Sequence, residues 1–169
     1  ITSLVVNNTG DTIYFATTAG KVRQTAATAT TAADGKVVDA PATGAPFAMR
    51  LAYGTTVQYV NDVPFTVSGL VVSDGSGTMK GYLGGGGGQQ FAQTFNQVTA
   101  LSSYAGYAYM ADYTGATIIY RTVPTQTPYA NFVSYGIKGV VNNLVGSAGD
   151  HYHFTVGTNE VQTCLVNGT

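Results

Sequence analysis

At 169 residues the chain fits one domain, 1–169, long enough to bury roughly 70% of its unfolded surface in a single core. Charged residues make up 9% of it, against about 25% in an ordinary soluble domain, and the 44% of hydrophobic residues excludes a disordered chain. Seven basic and eight acidic residues leave a net charge of −1, with no Lys/Arg cluster to neutralise phosphates, so nucleic acid is excluded as a partner.

Taken in chain order, the dominant pattern is short runs of Val, Ile, Thr, Tyr and Phe, broken by Gly, Asn and Asp turns. Ile1–Val6 reads as a strand closed by Asn7-Asn8-Thr9-Gly10-Asp11, and Thr12–Thr17 as the next, ending at a Gly20-Lys21 turn. Val22–Ala33 is a Thr/Ala alternation, followed by an Asp34-Gly35 hairpin signal and Val37–Asp39. After a Pro-containing loop come Phe47–Tyr53 and Thr55–Val60, separated by Gly54. Phe65–Ser73 follows the Asn61–Pro64 turn, and Thr78–Leu83 returns from Asp74–Gly77. The glycine run Gly84–Gly88 reads as a loop, since no Gly-Lys-Ser/Thr follows it to cradle a phosphate.

Two segments depart from the β pattern. Gln90–Leu101 spaces Phe91, Phe95, Val98 and Leu101 as a short amphipathic helix would. Tyr129–Val145 does likewise, with Thr127 and Pro128 placed as cap and first residue, although Gly136 and Gly139 leave two strands as the alternative. Tyr107–Tyr113, Ala116–Val123, His151–Val156 and Glu160–Val166 complete the pattern. The expected fold is all-β, a jelly-roll-like sandwich of about nine to eleven strands with up to two short helices.

The residues that carry chemistry are few. Asp150-His151-Tyr152-His153 puts both histidines of the chain on one side of a strand, the arrangement of a metal site, with Asp112, Asp150 or Glu160 as a third ligand. No spacing fixes a complete ligand set, so the bland reading, a half-exposed strand with Tyr152, Phe154 and Val156 turned to the core, is preferred and no cofactor is implied. Most acids stand in turns, where Asp caps the backbone, and no Gly-x-Ser-x-Gly elbow occurs, so an enzyme is not expected. Alternation places Tyr107, Tyr109 and Tyr113 on one face, as an assembly interface, as packing or as a platform on which sugars stack. Cys164 stands alone and reads as a small buried hydrophobe. Asn7 and Asn167 begin Asn-x-Thr sequons, candidate glycosylation sites.

The remaining signals concern compartment and assembly. Ile1 in place of Met reads as a processed chain, as after removal of a signal peptide, and no run of 18 apolar residues predicts a transmembrane helix. A neutral surface rich in Thr and Gly tends to associate. Ile1-Thr2-Ser3-Leu4-Val5-Val6 is an apolar strand at the start of the chain, an aggregation hazard unless paired in its own sheet or in a neighbour's. On these features the chain resembles the donor-strand-polymerised matrix fibres of microbial biofilms, the TasA-like and archaeal bundling-pilus subunits. That resemblance implies an extracellular or cell-surface homopolymer built head to tail. It makes residues 1–17 the donor segment and Ile1, Leu4, Val5 and Val6 the donor side chains. A secreted lectin-like module with glycan partners and a viral jelly-roll coat subunit are the alternatives.

Overall fold

The computed structural model of the protein describes residues 1–30, 36–39, 50–74, 77–84, 88–104, 106–115, 117–123, 125, 129–134, 139–147, 151–157 and 160–165, with 39, 56, 129–134, 146, 147, 151, 152, 164 and 165 described by backbone alone. Regular structure among these residues is β-strand throughout. The first sheet holds β1 (Ser3–Val6), β2 (Thr12–Ala16), β3 (Val22–Ala26) and β4 (Lys36–Asp39). The second holds β5 (Arg50–Val60), β6 (Val63–Ser73), β7 (Thr78–Leu83) and β8 (Gln89–Thr94). The third holds β9 (Val98–Tyr104), β10 (Tyr107–Tyr113), β11 (Thr117–Thr122) and β12 (Tyr129–Ser134). The fourth holds β13 (Val141–Ser147), β14 (His151–Val156) and β15 (Glu160–Leu165).

Every sheet is an antiparallel meander in which neighbours in sequence are neighbours in space. The Greek-key crossover of a jelly roll is therefore not found among the described residues. The first strands begin at Ser3, Arg50, Val98 and Val141, intervals of 47, 48 and 43 residues. The architecture is thus a repeat, and a four-stranded meander of 40 to 50 residues is the unit that β-propellers place around an axis (as a rule of about that period). In this chain β1 lies against β5, β5 against β9 and β9 against β13, while no comparable contact joins β13 back to β1 among the described residues.

The two expected helices are strands. Phe91 and Phe95 are four residues apart, a separation that satisfies both a helix face and a strand face. In the structure β8 ends at Thr94 and β9 starts at Val98, so Val98 and Leu101 reach the same core after a turn rather than along a helix. In the second segment β12 and β13 replace the helix, and Gly139 takes φ +121, a left-handed conformation that helices exclude. These replacements also raise the strand number to fifteen among the described residues. Gly54, expected as a break, lies inside β5 opposite Gly69 of β6, both buried. The turn between them is tighter than expected: Val60 pairs with Val63, and Asn61 and Asp62 take φ 50 and 63, the mirror-image turn that matches strand twist.

Three apolar clusters join the sheets in order. Tyr14, Ala16 and Val22 meet Leu51, Tyr53, Leu70, Val72 and Tyr82 between the first and second sheets, with Tyr14 and Tyr53 stacked at 5.6 Å. Ala52, Val71, Met79, Phe91 and Phe95 meet Ala108 and Met110 between the second and third. Ala100, Tyr109, Ala111 and Ile119 meet Val141, Leu144, Phe154 and Val156 between the third and fourth. The open edge of β5 is also closed along its first half. The N–H groups of Leu51, Tyr53 and Thr55 donate in turn to Ser3 Oγ (3.2 Å), Ser103 Oγ (2.7 Å) and the Gly106 carbonyl (2.8 Å). Edge donors that would template another chain are spent on the neighbouring sheets.

Candidate functional site

The N-terminal donor residues fall on both sides of one paired strand. β1 is antiparallel to β2 within the chain, with Leu4 opposite Phe15, Val5 opposite Tyr14 and Val6 opposite Ile13. Val5 packs inward against the first core cluster, whereas Leu4 and Val6 turn outward and are exposed, as is Ile1. The turn that follows is built by Asn7. Its Oδ1 accepts from the N–H groups of Asp11 and Thr12, both at 3.1 Å, and its Nδ2 donates to Asp11 Oδ1 (2.7 Å) and Thr9 Oγ1 (2.9 Å). Hydrogen bonds from Asn7, Thr12 and Thr9 hold the Asp11 carboxyl below its ordinary 3.8. The Asn7 sequon amide is therefore committed to the turn. Asn167 lies outside the described residues.

The tyrosine row is not an open platform. Tyr109 is 3% exposed and belongs to the core between the third and fourth sheets. Tyr107 sits beside it at 6.3 Å, with the Arg121 guanidinium 4.6 Å over its ring. Tyr113 is half-buried at the end of β10. A stripe read from alternation thus resolves into a core residue, a residue covered by a cation and a strand end.

The histidine pair is only partly within view. His153 is exposed on β14, its Nδ1 2.9 Å from Thr163 Oγ1 across the ladder. His151 pairs with Leu165 through its backbone; its side chain and the whole of Asp150 lie outside the described residues. Tyr152 and Cys164 likewise have only their backbones described, as a facing pair on β14 and β15. Phe154 and Val156 are buried, in line with the core-facing reading. Among the described residues no three His, Cys, Asp or Glu side chains gather as a metal set would require. Two acids act on the backbone: Asp74 accepts from Thr78 N–H at 3.2 Å, and the buried Asp112 accepts from Gln97 N–H at 2.7 Å. Beside Asp112 the Tyr120 phenol is pushed above its ordinary 10.0, chiefly by desolvation and then by the Asp112 charge.

Sequence reasoning missed two features. The exposed large apolar side chains among the described residues fall in three places: Ile1, Leu4, Val6 and Val37 on the first sheet; Val57, Tyr59, Val60, Val63 and Phe65 on the projecting β5–β6 hairpin; Val145 and Val161 on the fourth sheet. The hairpin outruns β7, which pairs with β6 from Gly69 to Ser73, so among the described residues its tip has no further strand beside it in the ladder. The second feature is a cleft of 470 Å³ between the first two sheets, lined by Asn7, Thr12, Tyr53, Phe65, Thr66 and Ser68. Among the described residues no charged side chain lines it. No helix among the described residues is long and apolar enough to cross a membrane. No protein-family model matches the chain, and no curated protein matches it in sequence.

Proposed function

We propose that the chain is a structural subunit of an extracellular filament or coat, assembling head to tail with its own copies. The observation that carries this reading is the set of exposed large apolar side chains on the first sheet, the β5–β6 hairpin and the fourth sheet of a chain with almost no charge to keep copies apart. Insertion of the N-terminal strand into a neighbour is one route. β1 stands at the edge of its sheet with β2 as its ladder partner, and that pairing is the one a neighbour's sheet would replace. Negative-stain microscopy and sedimentation of the purified protein test the reading: concentration-dependent oligomers or fibres are expected, and discrete monomers at all concentrations would overturn it. Deleting residues 1–8 abolishes assembly if the strand itself is exchanged.

A second reading, a secreted module for neutral glycans, is favoured by the uncharged cleft with Phe65 exposed at its edge. Hydroxyl and amide groups beside an accessible ring suit sugars. Binding to a glycan array, lost in Phe65→Ala, would support it; no binding would remove it.

A further inference from the structure

The second strand of each sheet carries an adjacent pair of residues that point in opposite directions along the stack. Tyr14-Phe15, Val71-Val72, Tyr109-Met110 and His153-Phe154 are these pairs. At the first junction Tyr14 points forward to meet Val72, which points back. At the second Val71 points forward to meet Met110. At the third Tyr109 points forward to meet Phe154. Every junction therefore joins a forward face to a backward face, never two faces of one kind.

That rule leaves two faces over. Phe15 points backward from the first sheet, and the register puts Leu4, Val6, Ile13, Arg23, Thr25 and Val37 on its side. His153 points forward from the fourth sheet, and the register puts Val145, Thr163 and Val161 on its side. Both faces carry large apolar side chains open to solvent: Leu4 is 52% exposed and Val161 72%. Phe15 is itself buried, so the backward face offers the rim of Leu4, Val6 and Val37 around it.

We infer that the forward face of the fourth sheet docks on the backward face of the first sheet of a second copy, continuing between chains the junction that is made three times within one. This rests on the self-assembly reading and names its interface. The occupant is a second copy because the two spare faces are the complementary halves of one repeating contact. Such a contact is heterologous, so it propagates unless it closes into a ring. Each half mixes apolar and polar side chains: Arg23 and Thr25 share the backward face with Leu4, Val6 and Val37, and Asn143, Thr155 and Thr163 share the forward face with Val145 and Val161.

The test uses two variants of the whole chain, each blocking one face at an exposed position. Leu4→Lys spoils the backward face and Val161→Lys the forward face, because either would bury an unpaired ammonium. Far-UV circular dichroism and melting confirm folding, with Val6→Lys and Val145→Lys as a second pair. In sedimentation equilibrium, each variant alone should self-associate about tenfold or more weakly than the wild type, the equivalent of about 1.4 kcal/mol. Mixed one to one they should form a discrete heterodimer, since each supplies the face the other lacks. If the wild type assembles and both variants assemble as well as it does, the assignment of faces is overturned while self-assembly stands. If each variant is blocked but the mixture stays monomeric, the head-to-tail pairing is overturned. A wild type monomeric at every concentration overturns both.

Discussion

Replacing Gly106 with alanine should destabilise the fold by about 3 kcal/mol. Gly106 takes φ +83, where a Cβ costs roughly 1–2 kcal/mol. That Cβ would also run into the Thr55 carbonyl oxygen of β5. Relief of the clash must pull the third sheet away from the second and loosen the hydrogen bond from Thr55 N–H to the Gly106 carbonyl, about 0.5–1.5 kcal/mol more. Gly10 supplies the control: it takes φ +76, and an added Cβ there meets no atom within 4 Å. Gly10→Ala should therefore show the conformational cost alone, about 1–2 kcal/mol. Urea unfolding followed by tyrosine near-ultraviolet circular dichroism measures both, and the melting temperature of Gly106→Ala should fall by about 6–12 °C. Equal losses in the two variants would refute the close approach between the sheets.

Phe154→Ala should cost about 3–5 kcal/mol, because it opens a cavity where Phe154 fills the junction with Tyr109 and Ile119; a loss under about 1 kcal/mol by denaturant titration would contradict that packing. The raised Tyr120 pKa means the folded state keeps a proton the unfolded chain loses first. Its contribution is intact below pH 10.0 and is lost as the pH rises through the folded value, and Tyr120→Phe should flatten the alkaline limb of a pH–stability profile. For Asp11 the sign reverses: its contribution is present above 3.8 and is lost as the pH falls through the lowered folded value, and Asn7→Ala should shrink that acid loss.

The all-β class was legible in the alternation and turn signals, and hairpin turns at Asn61-Asp62 and after Asp74 lie where the residues put them. The repeat was legible too, yet went unread. Tyr14-Phe15-Ala16 leading to Gly20, and Tyr109-Met110-Ala111 leading to Gly115, are the same strand and turn in two sheets, with both glycines at positive φ. Matching runs of residues across the chain would have exposed a period that strand-by-strand reading dissolves. The helix expectations failed for a different reason. Phe91 and Phe95 fit two periodicities at once, and only the position of the turn decides between them. The exposed hairpin tip was not legible, because the exposure of Tyr59 and Phe65 depends on where β7 stops pairing with β6, a tertiary fact. For the tyrosine row, alternation names a face but not what covers it, and Tyr109 takes the packing role among those the pattern allows.

Among the described residues the substantial contacts between sheets run from each to the next in order. Stability is then a chain of local terms, and a lesion is felt mainly by its own sheet and the adjoining ones. Among the described residues the fourth sheet has three strands and one neighbour, so its amides should exchange with solvent before those of β6 or β10, which are flanked on both sides. Opening of this protein therefore begins at an end and travels inward, one meander at a time.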